Sequence, residues 1–427
     1  MKILHTGDWH VGKVLKGRDR HDEHAAVLGN IVAAARDEDA DLVLIAGDLF
    51  DTAAPSPRAQ GLVIRTLLAL AEDGRQVVAI AGNHDNQHLL DAVYRPVLGQ
   101  LGLHLLGTPK RPGVGGTITL RTRGGQTARV AALPFLSHRY AVRAAEVLLH
   151  ETAEHTLDYT RRIAAMMQLL CASFTPGASF TPGASFTPGA SFTPGAAGFA
   201  SGEDAVNIVI AHATLLGGRR GGGEREVQTS LDYELPASLF PASAHYVALG
   251  HLHRQQEIAG PCPIFYSGSP LAVDFGEQTN EPVALAVTAG PSVRADVRPV
   301  PIAGGRALRT LRGTLEEVIA EGEQAGDAYL RVILAEPARA GLGDLVRDKL
   351  PHTLEVQLDE AHRPQPGASS GATPSRAGRS PQRLFGEYLA ERRIDDPRVS
   401  AMFAELLDEI TGAPADPGAA PAAAGEA

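Results

Sequence analysis

The chain has 427 residues, of which 44% are hydrophobic and 21% are charged. This composition excludes a wholly disordered protein, and the length allows one large domain with one or two smaller ones. The formal net charge is −10, and an acidic balance argues against a nucleic-acid partner unless divalent cations or local basic patches reverse the field.

Three features predict the compartment. The sequence runs from Met1 directly into a strand pattern with no apolar leader, and no apolar run reaches the length of a membrane span. The two cysteines, Cys171 and Cys262, lack a metal-ligand spacing, so neither a disulfide framework nor a thiolate zinc site is expected. A soluble, cytoplasmic protein is therefore expected.

The N-terminal part alternates strands with helices. Strand patterns cover residues 2–6, 41–46 and 76–81, and helical patterns cover 21–37 and 57–71. This βαβ alternation predicts a layered α/β domain. Further strand patterns follow without long helices between them, which favours a mixed sheet or a sandwich; they lie at 128–133, 207–211, 245–249, 263–266 and 282–287.

The C-terminal half contains segments of different character. Residues 172–195 are four tandem copies of Ala-Ser-Phe-Thr-Pro-Gly, which predicts a flexible surface insertion over 172–205. Strand and helix patterns between 291 and 362 predict a small α+β domain, and a linker rich in Pro, Gly and Ser follows over 363–379. Two amphipathic helices are predicted within 380–412, and a disordered tail over 413–427.

Five polar motifs follow predicted strands. They are Asp8-x-His10, Gly47-Asp48-x-x-Asp51, Gly82-Asn83-His84-Asp85, His212 and Gly250-His251-x-His253. Because the carboxyl ends of strands in an α/β sheet meet at one edge, residues distant in the chain can form one site. Asp8-x-His10 and Gly47-Asp48 are weak signals alone and Gly82-Asn83-His84-Asp85 is a stronger one, and together the motifs predict a two-metal phosphoesterase site. Carboxylate, amide and imidazole ligands without thiolate suit manganese, iron or zinc.

This motif set, in this order, resembles the calcineurin-like metallophosphoesterase superfamily over residues 1–290. Within it the chain is similar to the SbcD-type subunits of bacterial nucleases, through the runs 1–10, 47–51 and 266–271. The resemblance implies a β-sandwich flanked by helices, a small α+β domain that caps DNA and a C-terminal helix pair.

The resemblance also implies roles for the motif residues. One ion would be held by Asp8, His10, Asp48 and His253, and the other by Asp48, Asn83, His212 and His251, with Asp48 bridging two Mn²⁺ ions. His84 would act on the scissile phosphate and leaving group as a hydrogen-bond or proton donor. Asp51 would orient His84, although it could instead cap the helix that follows.

The implied function is a DNA double-strand break repair nuclease with double-strand exonuclease and single-strand or hairpin endonuclease activity. A homodimer would join an SbcC-type ATPase in a heterotetramer, docking through residues 380–412, which could alternatively fold back on their own domain. The partner would bind ATP, because the chain has no phosphate-binding loop of the form Gly-x-x-x-x-Gly-Lys-Ser/Thr. Two other functions stay open: a phosphatase or phosphodiesterase acting on a small molecule or protein, and a non-catalytic scaffold.

Overall fold

A computed structural model of the chain describes residues 1–137, 141, 159–174, 205–224, 233–339 and 341–362, together with 385–386, 388–390 and 396–403. Met1–Arg363 form one compact unit and Pro364–Ala427 form a second. Most of the predicted insertion, the linker after residue 362 and the predicted tail lie outside the described residues. In the second unit, residues 397–403 are helical, and the rings of Phe385 and Phe403 stack with their centroids 4.0 Å apart.

The strands of the first unit are numbered in chain order. They are β1 (Lys2–Thr6), β2 (Val14–Leu15), β3 (Arg18–Asp19), β4 (Leu42–Ile45), β5 (Gln76–Ile80), β6 (Leu103–Leu106), β7 (Thr117–Arg121), β8 (Thr127–Leu133), β9 (Ala205–His212), β10 (Tyr246–Gly250), β11 (Gln256–Ile258), β12 (Ile264–Tyr266), β13 (Val283–Gly290), β14 (Val293–Pro301), β15 (Leu308–Gly313), β16 (Tyr329–Leu334) and β17 (Thr353–Leu358).

The helices lie between these strands. They are α1 (His21–Asp37), α2 (Pro57–Leu70), α3 (Gln87–Leu89), α4 (Arg95–Leu98), α5 (Tyr159–Leu170), α6 (Leu315–Glu323) and α7 (Leu342–Lys349). A π-helical turn, Leu90–Tyr94, joins α3 to α4. Short 3₁₀ turns cover Glu72–Gly74, Gly99–Leu101, Pro112–Val114, Ala172–Phe174, Ala237–Leu239, Phe275–Glu277 and Glu360–His362.

Two six-stranded mixed sheets form a sandwich. The strand order is β14-β13-β1-β4-β5-β6 in the first sheet and β11-β12-β10-β9-β8-β7 in the second. Strands β1, β4, β5 and β6 are parallel, and so are β8, β9, β10 and β12. Antiparallel strands lie at one edge of the first sheet, β13 and β14, and at both edges of the second, β11 and β7. The predicted fold class, a helix-flanked sandwich of the calcineurin-like type, is therefore confirmed.

Because successive side chains of a strand point to opposite faces of the sheet, one strand contributes to two hydrophobic cores. In β4, Leu42 and Leu44 point into the core between the sheets, whereas Val43 and Ile45 point toward the core beneath α1 and α2. The second sheet packs its outer face on α5 in the same way, through residues such as Val209 and Met166. Strands buried on both faces need continuous apolar sequence, which is the pattern that β4 and β9 carry.

The small domain consists of the parallel sheet β15-β16-β17 packed with α6 and α7. Its boundary differs from the predicted one at residue 291. Strand β14 pairs antiparallel with β13 and forms the edge of the first sheet, so residues 293–301 belong to the sandwich. The sequence concealed this because a hairpin between adjacent strands carries no composition change, and the small domain begins near Leu308.

None of the helices in the described part of the chain combines the length and apolarity needed to cross a membrane.

Candidate metal centre

The polar motifs lie where strands of both sheets end. Asp8 and His10 follow β1, Asp48 follows β4, and Asn83 and His84 follow β5. His212 is the last residue of β9, and Gly250 at the end of the parallel strand β10 pairs with it. The two sheets bring these ends together, since His212 Nδ1 lies 2.7 Å from the carbonyl oxygen of Ala46 in the other sheet.

The backbone is held in a rare conformation at four of the motif residues. Asp8, His10, Asp48 and His251 have φ angles of 50°, 47°, 50° and 99°, in the left-handed region that side chains other than glycine seldom adopt. Each such residue costs on the order of 1–3 kcal/mol and persists only where the surroundings enforce it. Their clustering at one point indicates that the fold is strained in order to aim these side chains.

A first group of side chains that could hold a metal ion consists of Asp8, His10 and His253, all buried, whose ligand atoms lie within 4.8 Å of one another. The Nε2 atoms of His10 and His253 are 3.0 Å apart. The carboxylate of Asp8 accepts the backbone N–H of His251 at 2.9 Å, which ties the first strand to the loop after β10.

A second group consists of Asp48, His212 and His251, again within 4.8 Å. Asn83 Oδ1 lies between the two imidazoles, 2.9 Å from His212 Nε2 and 2.7 Å from His251 Nδ1. The Asp48 carboxylate faces both groups, because its Oδ2 is 3.5 Å from His212 Nε2 and 3.7 Å from His10 Nε2. The carboxylate therefore lies between the two groups of side chains.

The donor atoms fit divalent cations. His212 Nδ1 must donate to the Ala46 carbonyl, so a neutral ring directs the lone pair of Nε2 at the oxygens of Asn83 and Asp48. His253 Nδ1 lies 2.7 Å from a carboxylate oxygen of Glu277, which likewise leaves its Nε2 lone pair facing His10. Converging lone pairs repel one another unless a cation or extra protons lie among them.

The shifts in pKa also indicate that the site favours positive charge, since those of His212 and His253 are raised and that of Asp48 is lowered. Burial opposes the charged imidazole of His253, but the carboxylate of Glu277 outweighs it and raises the pKa of His253 to about 10. The pKa of His212 rises to about 9 because Asp48 overcomes the burial of the ring. Burial would raise the pKa of Asp48, yet the neighbouring imidazoles hold it well below its usual range. Burial raises the pKa of Asp8 to about 6.

His84 is anchored by two different groups. Its backbone N–H donates to Asp48 Oδ1 at 2.8 Å, and its Nδ1 lies 2.7 Å from the backbone carbonyl oxygen of Asp51. His10, Asp48 and His84 also form a group with ligand atoms within 4.8 Å. His84 therefore lies at the site, in a position compatible both with a catalytic role and with a role as a metal ligand.

The predicted roles of the Asp51 side chain require correction. The contact with His84 is made by the main-chain carbonyl, while the Asp51 carboxylate turns away and lies 3.3 Å from Lys13 Nζ and 3.7 Å from His10 Nδ1. The alternative of a helix cap is also wrong, because Ser56 accepts the N–H of Ala59 at the start of α2. The short loop after Asp48 turns its backbone, not this side chain, toward His84.

Comparison with known proteins agrees with this geometry. Residues 1–134 match the family model described as calcineurin-like phosphoesterase. The chain is 34% identical over 312 residues to the SbcD subunit of nuclease SbcCD from Bacillus subtilis, covering 72% of this chain and 71% of that protein. The chain belongs to the SbcD family of nuclease subunits.

Other members of the SbcD family give the same result. The SbcD subunit from Rhodobacter capsulatus is 35% identical over 65% of this chain and 64% of its own length, and the Escherichia coli K12 protein is 26% identical over 77% and 74%. As a member of the SbcD family, the chain is a hydrolase of phosphodiester bonds that depends on divalent metal ions.

Two solved structures are also similar to this chain. TT1561 from Thermus thermophilus and a dimetal phosphatase from Danio rerio each cover 71% of this chain and 99% of their own, with 12% and 13% identity and TM-scores of 0.35 and 0.34.

Four residues that hold the site in place had no role predicted from the sequence. Glu277 contacts His253, Glu224 accepts the N–H of His253 at 2.9 Å, and Ser269 Oγ donates to the carbonyl of Asp8 at 2.8 Å. Asp85 accepts three backbone N–H groups, from Gly82, Leu49 and Phe50, and thereby braces the loops after β4 and β5. Only Ser269 and Asp85 lay in motifs that the sequence had singled out, because the other contacts arise between segments far apart in the chain.

Proposed function

We propose that this chain uses two Mn²⁺ ions to hydrolyse DNA phosphodiester bonds, as a double-strand exonuclease and a single-strand or hairpin endonuclease in double-strand break repair. The observation that carries the proposal is the convergence of buried lone pairs around Asp48. Seven residues are proposed as ligands: Asp8, His10, Asp48, Asn83, His212, His251 and His253. All the donors are oxygen or nitrogen, which manganese accepts.

The side chains have separate tasks in this proposal. The seven proposed ligands would hold two divalent ions, which when bound would neutralise charge on the phosphate and activate a water molecule for attack. Asp48 serves both positions, since its carboxylate faces His10 on one side and His212 on the other. Glu277 and the Ala46 carbonyl hold the Nδ1 atoms of His253 and His212, so that the opposite nitrogen of each ring faces the site.

His84 is proposed as the residue that donates a hydrogen bond or proton toward the scissile phosphate and leaving group. Its Nδ1 donates to a backbone carbonyl, which accepts but cannot donate, so Nε2 is the atom that would transfer a proton. The ring lies beside Asp48, since ligand atoms of His10, Asp48 and His84 are within 4.8 Å of one another, and a second proton on the ring at Nε2 is the one that an acid catalyst would deliver.

DNA is proposed as the substrate on family membership and on the surroundings of the site. Lys13, Lys16 and Arg18 follow His10 in the chain, and basic side chains of this kind position duplexes through their phosphates. Arg18 also reaches the small domain, where its Nε lies 3.4 Å from the hydroxyl of Tyr329. The small domain is therefore proposed to cap the bound DNA.

The assembly is part of the same proposal. The relatives are named as subunits of SbcCD, and we infer that residues 380–412 dock on an SbcC-type ATPase, with both proteins in the cytoplasm. A homodimer within a heterotetramer is supported by an apolar stripe. Val93, Val97 and Leu101 are spaced four residues apart and are 51%, 65% and 57% exposed.

One experiment separates this function from its alternatives. The purified chain, with and without an SbcC-type ATPase and ATP, is given Mn²⁺ and offered blunt duplex DNA, hairpin DNA and an aryl phosphodiester. Cleavage of DNA that increases with the partner supports the proposal. Cleavage of the small ester alone, unaffected by partner or ATP, would identify a small-molecule phosphodiesterase, and no cleavage of either would favour a scaffold.

A further inference from the structure

Glu277 is a buried carboxylate that lies directly behind His253. Its side chain is 1% exposed, its Oε1 lies 2.7 Å from His253 Nδ1, and its Oε2 accepts the backbone N–H of Val273 at 2.9 Å. An ionised carboxylate only accepts hydrogen bonds, so the proton on the imidazole must be at Nδ1. The contact therefore fixes both the tautomer and the orientation of the ring.

The segment that carries Glu277 is itself held on two sides. Asp274 accepts the N–H of Gly276 at 3.0 Å and begins the 3₁₀ turn Phe275–Glu277. Phe275 is fully buried in a small cluster with Leu308 and Tyr329 of the small domain. The next residue, Gln278, accepts the N–H of Thr310 in β15 at 2.8 Å. The turn is thus fastened to the small domain while its last residue reaches the metal centre.

A glycine loop allows the carboxylate to sit where it does. Gly223 lies against Glu277, and a Cβ atom built at this glycine would overlap Oε1. Glu224, the next residue, accepts the backbone N–H of His253 at 2.9 Å. The absence of a side chain at Gly223 therefore leaves the space that the Glu277 carboxylate occupies behind the ring.

We propose that Glu277 is a positioning residue of the metal centre, which holds His253 in the tautomer and orientation needed to bind one of the two ions. The inference rests on the proposed two-ion site and adds a residue outside the motif set. Removing a hydrogen-bond partner behind a ligating histidine typically lowers metal affinity about 10–100-fold. The ion near Asp8 and His10 should be the one affected, because His253 belongs to that group of ligands.

Glu277→Gln tests the contact with little change in volume. A glutamine cannot accept from both His253 and Val273, since one of its two terminal atoms is an amide nitrogen that donates. We expect one Mn²⁺ to bind about 10–100-fold more weakly in calorimetric titrations while the second keeps its affinity. Electron paramagnetic resonance at two equivalents of Mn²⁺ should change from the spectrum of a coupled pair to that of an isolated ion.

Two further variants keep the test decisive. Gly223→Ala displaces the carboxylate without removing it, and should weaken the same ion. Asp91→Asn is the matched control, because Asp91 also uses both carboxylate oxygens to accept N–H groups, but from the backbone of Gly107 and Thr108 rather than from residues of the site. It should lower the urea midpoint of the metal-free protein and leave both Mn²⁺ affinities unchanged.

The outcomes separate the inference from the function on which it rests. Wild-type binding of two ions, with both affinities retained in Glu277→Gln, overturns the positioning role and leaves the proposed function standing. Equal weakening of both ions in Asp91→Asn and Glu277→Gln also overturns it, because the loss would then follow general destabilisation. Failure of the wild-type chain to bind Mn²⁺ overturns both.

Discussion

Replacing His84 by glutamine separates two contributions that this residue makes to the site. The backbone N–H, which donates to Asp48 Oδ1 at 2.8 Å, survives the substitution, whereas the imidazole and its contact with the Asp51 carbonyl are lost. The shared carboxylate of Asp48 keeps its backbone support. We therefore expect His84→Gln to bind two Mn²⁺ ions with wild-type affinity and to lose turnover.

The size of the loss follows from the role. A positioned acid contributes about 10²–10⁴-fold to a rate, which corresponds to about 2.7–5.5 kcal/mol of the activation free energy. The loss should be smaller on an aryl phosphodiester than on DNA, because an aryl oxide leaves readily without a proton. Stability should change little, since one hydrogen bond contributes about 1 kcal/mol to the free energy of unfolding.

The assay measures turnover on duplex DNA and on the aryl ester at saturating Mn²⁺, together with calorimetric stoichiometry and urea unfolding. His245→Gln is the matched control, because His245 is also buried and its Nε2 lies 3.0 Å from the backbone carbonyl of Pro291. It should lose stability and retain kcat. Loss of an ion in His84→Gln would refute the reasoning and make His84 a ligand, and equal loss of kcat on both substrates would refute its role as an acid.

Three further predictions concern the same centre. Gly82→Ala places a Cβ against the carboxylate of Asp48. We expect weaker binding of both ions by calorimetry and a free energy of unfolding in urea that is lower by about 1–3 kcal/mol. Wild-type affinities would contradict the proposed role of Asp48 as a shared ligand. Asp51→Asn should change kcat by less than about tenfold, or ~1.4 kcal/mol, because the backbone carbonyl of Asp51 makes the contact with His84; a larger loss would return the orienting role to the side chain. In EDTA, the free energy of unfolding should fall as pH rises from about 6.5 to 9. In the folded chain His212 and His253, with pKa values of about 9 and 10, still hold protons that the same residues release near pH 6.5 in the unfolded chain. Each such imidazole contributes about 1.4 kcal/mol per pH unit, and urea midpoints that are flat with pH in EDTA, or that fall equally steeply in Mn²⁺, would contradict this.

Local patterns in the sequence were sufficient for the elements and for the motifs at their ends. Continuous apolar runs marked β4 and β5, because strands buried on both faces need them, and the period of the α1 helix gave its bounds as residues 21–37. Ligand residues were visible because each stands next to such a run. Asp8 and Asp48 could be recognised from adjacent sequence alone. Each follows the carboxyl end of an apolar strand, and the carboxyl ends of parallel strands lie at the same edge of the sheet.

How these pieces meet could be seen only from tertiary contacts. Strand β14 pairs with β13, so the small domain begins later than predicted. The backbone carbonyl of Asp51, rather than its carboxylate, contacts His84, and Glu277 lies behind His253. These outcomes depend on the direction of individual side chains and on contacts between segments that a linear pattern does not relate. Local sequence was sufficient to predict which chemical groups gather at the strand ends. The packing of two sheets and a small domain determined which of these groups face one another at the candidate metal centre and which hold the others in place.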